Sequence, residues 1–174
     1  MAGVEMVQVN GGLRAGGRRP LYTPEQRRRR DETKWTTVQG VLAPIQFLAF
    51  LVSLVLVVRA LASGRGFEAA DVSVLTKTGL LYAIMVTGAI WEKRVFGRYL
   101  FAEAFFWEDV VSMLVIGLHT AYLAARLGDW MSGRAQLWLA LAAYAAYVLN
   151  AAQFILKLRT GRLDEARGTS EVTA

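Results

Sequence analysis

Four long apolar runs, separated by short charged or glycine-bearing stretches, set the plan of this chain. The first goes from about Val38 to Val58. At ~1.5 Å per residue it covers roughly 31 Å, about the thickness of a bilayer core. Pro44 falls within its first two turns and should kink the helix or mark a break. The second run is less clean. Thr78 to Trp91 alone is too short to cross, and extending it back to Asp71 brings in Lys77, whose ammonium is expected to snorkel to the headgroups. A third run goes from about Phe105 to Arg126, with Glu108 and Asp109 in its first turns and His119 near mid-depth. The fourth goes from about Leu137 to Leu156. The pattern predicts an all-α integral membrane four-helix bundle, with spans at about 38–58, 71–91, 105–126 and 137–156.

The flanks read differently. Residues 1–21 are rich in Gly and Arg, cannot bury apolar area and are expected to be disordered. Tyr22-Thr23-Pro24-Glu25-Gln26-Arg27 reads as a helix start, with Thr23 as N-cap and Pro24 at the first helical position. A short amphipathic helix on the membrane surface should follow. Residues 22–160 then form a single membrane domain, and 161–174 a loose, charged tail. The first apolar run starts too deep in the chain, and is too long, for a cleavable signal peptide. No repeat relates one helix pair to the other.

Charge fixes an orientation. Of 174 residues 55% are apolar, yet there are 20 Lys+Arg and a net charge of +6, gathered in blocks between the runs. Fifteen of the basic residues fall in the N-terminal segment, the second connector (Lys93, Arg94, Arg98) and the tail, against four (Arg59, Arg65, Arg126, Arg134) on the other side. That asymmetry places both termini in the cytoplasm. The run Arg27-Arg28-Arg29-Arg30 could suggest nucleic acid. Just ahead of a span it reads more simply as an orientation signal and a contact for anionic headgroups, so nucleic acid is set aside as a partner. With no cysteine, disulfides, thiolate metal sites and cysteine nucleophiles are excluded. The single histidine, His119, denies a monomer a bis-histidine haem or a multi-histidine zinc site.

Bilayer helices need no polar side chains, so those present call for an explanation. Gln39, Gln46 and Ser53 recur every seven residues and share a face suited to inter-helix hydrogen bonds. In the third helix Glu108, Ser112, Val115 and His119 fall within about 40° of one another at 100° per residue, with Tyr122 close beside them. A carboxylate, a hydroxyl, an imidazole and a phenol thus form one stripe running toward mid-bilayer. Glu108 and Asp109 also suit the positive end of the helix dipole, and His119 could be a satisfied packing residue. The fourth helix offers Tyr144, Tyr147, Asn150, Gln153 and Lys157 around one broad face, while the second ends in Trp91-Glu92 at the level of Glu108. Carboxyl groups crowded together and partly withdrawn from water tend to keep a proton. Such a cluster is acid–base machinery placed beside lipid.

Several strings are more specific. Leu21-Tyr22-Thr23-Pro24-Glu25-Gln26-Arg27-Arg28-Arg29-Arg30-Asp31 with Lys34-Trp35 resembles the opening of the vinyl bacteriochlorophyllide hydratase family. Val38-Gln39-Gly40-Val41-Leu42-Ala43-Pro44-Ile45-Gln46-Phe47 continues the likeness. So do Met85-Val86-Thr87-Gly88-Ala89-Ile90-Trp91-Glu92-Lys93, Phe105-Phe106-Trp107-Glu108-Asp109 and His119-Thr120-Ala121-Tyr122. The similarity covers about residues 21–160.

The resemblance implies an enzyme, a hydro-lyase adding water to the C3-vinyl group of chlorophyllide a or 3-vinyl bacteriochlorophyllide a in bacteriochlorophyll a synthesis. It also implies a bacterial inner, photosynthetic membrane, a pigment substrate, and neighbouring enzymes of that route as partners. No redox cofactor is expected, because hydration moves no electrons, and magnesium would arrive as part of the pigment. Such chemistry needs an acid near the terminal vinyl carbon and a positioned base for water. Glu108 is expected as the acid, with Glu92 or Asp109 orienting water. His119 could ligate the pigment's magnesium or bond to Tyr or Asn of the fourth helix. Tyr122, Tyr147 and Asn150 would contact the pigment. Trp35, Trp91, Trp107, Phe105 and Phe106 could stack on it, although the tryptophans equally suit an interfacial belt. The competing class is a non-catalytic pigment carrier or an assembly factor for photosynthetic complexes, which would not need clustered carboxylates.

Overall fold

The computed structural model describes residues 21–172, with side chains as far as Leu163. The disorder expected over residues 1–21 lies, except for Leu21, outside the described residues. Five helices follow in order: α1 (Pro24–Glu32), α2 (Lys34–Ser63), α3 (Phe67–Phe96), α4 (Phe106–Gly128) and α5 (Gly133–Val172). The last four are long and apolar enough to cross a membrane. All four expected spans are present, each extended beyond its apolar run. At ~1.5 Å per residue α2 and α3 reach roughly 45 Å, enough to carry their ends through the headgroup layers.

Local chemistry sets the boundaries. Thr23 caps α1 through a reciprocal pair with Gln26: the Gln26 amide donates to Thr23 Oγ1 at 3.2 Å, and the Thr23 amide donates to Gln26 Oε1 at 2.9 Å. The apolar face expected of α1 is absent. Apart from Pro24 its residues are polar, and none is buried. Tyr22, just ahead of it, supplies the anchor by stacking on Phe96 at 5.8 Å. The α2–α3 turn uses Gly64 (φ 69°) and Gly66 (φ 80°), left-handed positions where a Cβ would be strained. α2 runs through Pro44, which lies inside the helix, without a break. The stretch expected to be a loose tail is helical to Val172, since Arg162-Leu163-Asp164-Glu165-Ala166-Arg167 contains good helix formers and no proline.

The helices form two hairpins, α2 with α3 and α4 with α5, each tightly packed along its length. α2 and α5 join the hairpins more lightly, and α3 meets α4 along a thin seam. Phe50 of α2 ties the halves together, lying 5.0 Å from the Tyr147 ring and 5.4 Å from that of Tyr144. Outward-facing positions are apolar, among them Val41, Leu48, Val52, Val55, Val86, Leu114 and Leu149. Polar groups turn inward, where Gln46, Ser53, Lys77, Thr78, Ser112, His119 and Asn150 are buried. Lys77 is the clearest departure from expectation: it is 0% exposed and does not snorkel. Its side chain lies in the bundle interior, with Nζ 3.9 Å from the Tyr147 ring centroid. The helix register that carries it toward α5 points it away from lipid.

At the end of the bundle away from α1, Asp71 closes the α3–α4 seam. It accepts from Tyr122 Oη at 2.6 Å and from Arg126 Nε at 2.9 Å. Removing the carboxylate in Asp71→Ala strands the buried Tyr122 hydroxyl, at a cost of about 1–3 kcal/mol. Arg126→Ala should destabilise less, because the guanidinium is exposed. Thermal unfolding of the two variants in the same nanodiscs would show this order, and a larger loss from Arg126→Ala would contradict it.

Candidate active site

The carboxylates meet at the basic end of the bundle, where α3 stops, α4 starts and α5 passes by. Gly97, left-handed at φ 82°, ends α3 and starts a connector that folds back over the gap between α3 and α4. Glu92 sits in the last turns of α3 and Asp109 in the first turn of α4, both buried. Their carboxyl groups are close enough to influence each other. The connector holds each from above: the Phe101 amide donates to Asp109 Oδ2 at 2.7 Å, and the Ala102 amide to Glu92 Oε2 at 3.3 Å. Phe101 adopts φ 58°, a left-handed conformation unusual for a bulky residue, and the bond to Asp109 helps hold it there. Two acidic side chains from different helices are thus brought together under two backbone donors; a hydrogen bond between them requires one to keep a proton.

Glu108, one residue before Asp109, is buried on the other side of this turn. Lys157 of α5 pairs with it, Nζ lying 3.3 Å from both Oε1 and Oε2. The same ammonium lies 5.8 Å from the Phe105 ring centroid. Beneath these groups an aromatic cluster packs Trp91, Phe96 and Phe105 edge-on at 5.8 Å, with Phe154 stacked on Phe105 at 5.9 Å. An open cleft of about 380 Å³ between the α1–α2 elbow and Arg94 carries Arg29, Lys34 and Trp35 on its walls but does not include these carboxylates.

From Glu108 the α4 stripe runs inward as its spacing predicts: Ser112, Val115, His119 and Tyr122 are all buried. Asn150 Nδ2 donates to Ser112 Oγ at 2.8 Å. His119 is 0% exposed, and its Nδ1 lies 2.8 Å from the Val115 carbonyl oxygen. A carbonyl only accepts, so Nδ1 carries the proton and Nε2 keeps a lone pair, which meets no partner. Such a nitrogen can fill one open position on a metal that is otherwise already held. Among the described residues, no group of three His, Asp or Glu side chains could hold a metal by itself.

The expected residues therefore divide. Glu92, Asp109 and Glu108 converge at one end. His119, Tyr147 and Asn150 line the interior beside Lys77, Gln46 and Tyr144. Tyr122 is buried farther along, bonded to Asp71. Trp91 is engaged by the protein itself, its Nε1 donating to Thr36 Oγ1 at 2.9 Å. Trp107 and Phe106 face outward, Trp107 at 68% exposed. They lie at the surface of the bundle rather than over the carboxylates. Sequence reasoning missed the interior Lys77, the Asp71–Tyr122–Arg126 group and the two connector amides. For Asp71 and Arg126 the signal was available, since each is a charged residue at the end of a span.

The model of one family, described as 2-vinyl bacteriochlorophyllide hydratase, matches residues 22–160. A protein named 2-vinyl bacteriochlorophyllide hydratase from Rhodobacter capsulatus is 65% identical over 149 residues, covering 86% of each chain. One of the same name from Cereibacter sphaeroides is 63% identical over 150 residues, covering 86% of this chain and 93% of its own. No solved structure matches. The similarity takes in both carboxylate-bearing helix ends, the α4 stripe and the facing residues of α5, and this chain belongs to the 2-vinyl bacteriochlorophyllide hydratase family.

Proposed function

We propose that this chain hydrates the vinyl group of a chlorophyllide-type pigment in bacteriochlorophyll synthesis, converting it to a 1-hydroxyethyl group, with the Glu92–Asp109 pair as proton donor. Family membership supports the reaction. The single observation that carries the assignment of donor is the pair of facing carboxyl groups under the Phe101 and Ala102 amides.

The chemistry needs a proton delivered to the terminal vinyl carbon. The π electrons form the new C–H bond, and the cation left on the carbon attached to the ring is delocalised into the macrocycle. Water then attacks that carbon, and the proton it loses returns to the Glu92–Asp109 pair, which restores the starting state. A shared proton between Glu92 and Asp109 suits the first step. Glu108, held by Lys157, suits the role of the anion that orients water and steadies the developing positive charge. This exchanges the roles expected from sequence, where Glu108 was the acid. The reading calls for no redox cofactor.

His119 supports the pigment's placement, because its free Nε2 can take the axial position on the magnesium that the substrate carries. Tyr147 and Asn150 line the same interior. Trp107 and Phe106, on the outer surface, suit the membrane interface better than the macrocycle. The excess of basic residues at the end holding α1, Lys93, Arg94 and Lys157 supports a cytoplasmic placement of that end and of both termini. The membrane is then the photosynthetic inner membrane of the cell, and the substrate approaches from its cytoplasmic leaflet. Other enzymes of the route would be natural neighbours there.

Incubating chlorophyllide a with membranes containing this chain should yield a species heavier by one water, absent from control membranes, on mass spectrometry. If neither chlorophyllide a nor the ring-reduced 3-vinyl pigment gains water, the carrier reading takes its place. Glu92→Gln and Asp109→Asn should each lower hydration by about 10²–10⁴-fold while pigment still binds. Near-normal rates in both variants would remove the pair from the mechanism. His119→Ala should shift the absorption band of bound pigment, and an unchanged band would rule out axial ligation.

A further inference from the structure

In the interior of the bundle Lys77 faces no carboxylate among the described residues. Lys77 is 0% exposed, and its Nζ has no hydrogen-bond partner. What it meets is aromatic: the Tyr147 ring at 3.9 Å and the Tyr144 ring at 5.7 Å. Two faces of π density offset part of the desolvation of an ammonium, but neither accepts its protons in the way an oxygen does. The carboxylates that could neutralise it are committed elsewhere. Asp71 is bonded to Tyr122 and Arg126, Glu108 to Lys157, and Glu92 and Asp109 to the connector amides.

The neighbourhood is unsatisfied as a whole. His119 Nε2, both amide atoms of Gln46 and Asn150 Oδ1 are likewise buried without partners. They come from α4, α2 and α5, so with Lys77 all four long helices turn an open polar atom into the interior. Each such group in an apolar interior costs free energy that a ligand could recover. A buried, unpaired lysine is a poor structural device, since methionine would fill similar space without the charge. Its chemistry calls for an anion that comes and goes.

We propose that Lys77 binds a carboxylate of the substrate, with Tyr147 and Tyr144 fixing the direction of its ammonium. This rests on the pigment-hydratase reading above, because a pigment named as a chlorophyllide bears a free carboxylic acid side chain where a chlorophyll has an ester. Lys77 and Glu92 are fifteen residues apart on α3, about 22 Å along the helix. His119 of α4 lies beside Lys77, the Tyr144 ring being 5.9 Å from its imidazole and 5.7 Å from Lys77 Nζ, so one pigment could meet Lys77 with its carboxylate and His119 with its metal. Lys77 thus selects the free acid over the ester.

The test compares chlorophyllide a with its methyl ester, using the full chain in nanodiscs. Binding is read from pigment absorbance and hydration from mass. The native protein should bind the free acid at least tenfold more tightly than the ester, and Lys77→Met should bind both with the ester's weaker affinity. Lys77→Met should also keep or raise the thermal midpoint without pigment, because it removes a buried charge; a fall in that midpoint would instead mark Lys77 as structural and overturn the proposal. Equal binding of acid and ester by the native protein overturns it too, whatever the variant does. So does a Lys77→Met protein that still discriminates tenfold. If the free acid is hydrated while acid and ester bind alike, the role of Lys77 fails and the hydratase reading stands. If the native protein discriminates but hydrates neither, the hydratase reading fails and the carboxylate site stands.

Discussion

No water stands ready inside a bilayer to satisfy a polar side chain, and that constraint shapes this bundle from its surface inward. The outside is apolar, and the interior mixes apolar packing with polar groups. Valine, leucine and isoleucine cover the outside, while serine, tyrosine, asparagine, glutamine, lysine and histidine turn toward the axis. Packing of the two hairpins follows from it. Ser53 of α2 lies 2.7 Å from Ser73 of α3 and bonds to Tyr144 of α5, which links three helices through one hydroxyl. Gln39 donates to Thr87 at 2.7 Å and Tyr82 pairs with Thr120 at 2.7 Å, adding ties at other levels. Lipid tails offer helices no hydrophobic reason to associate, so close packing and such bonds carry the association.

The polar interior is not uniform. Its charged groups are paired toward the two ends: Glu108 with Lys157 and Glu92 and Asp109 with the connector amides at the basic end, and Asp71 with Tyr122 and Arg126 at the other. The middle is left open, at Gln46, Lys77, His119 and Asn150. A bundle built only for stability would show the reverse, with loose ends reaching water and a satisfied or apolar centre. Open polar atoms in the middle are what the proposed ligand would satisfy, with the carboxyl groups of α3 and α4 at one end of that interior.

The connector between α3 and α4 gives that rim its geometry. Nine residues separate Phe96 from Phe106, and they fold back so that two backbone amides reach two carboxyl groups on different helices. The left-handed Phe101 is the cost of that path. Aromatic packing under the connector, from Tyr22 through Phe96 and Phe105 to Phe154, ties it to the N-terminal segment and to α5. The site thus draws on every part of the chain from Tyr22 to Lys157, which accords with the extent of the family match.

By itself the sequence determined the class of fold and much of the site. Length and polarity of four runs fix four membrane helices, because only a helix satisfies its own backbone in lipid. Thr23, Pro24 and Gln26 fix the start of α1, because capping is local chemistry. The α4 stripe was legible for the same reason, since helical periodicity alone places Glu108, Ser112, Val115, His119 and Tyr122 on one face. Tertiary structure decided what no single helix carries. Whether Lys77 meets lipid or the interior depends on how α3 is rotated against α5, and hydropathy along one strand of sequence cannot supply that angle. Which carboxylates pair, Glu92 with Asp109 rather than Glu108 with either, depends on a connector path and on a lysine 49 residues away from Glu108. Trp107 and Phe106 follow the same rule: adjacent in sequence to Glu108, they face outward because consecutive helix positions point about 100° apart.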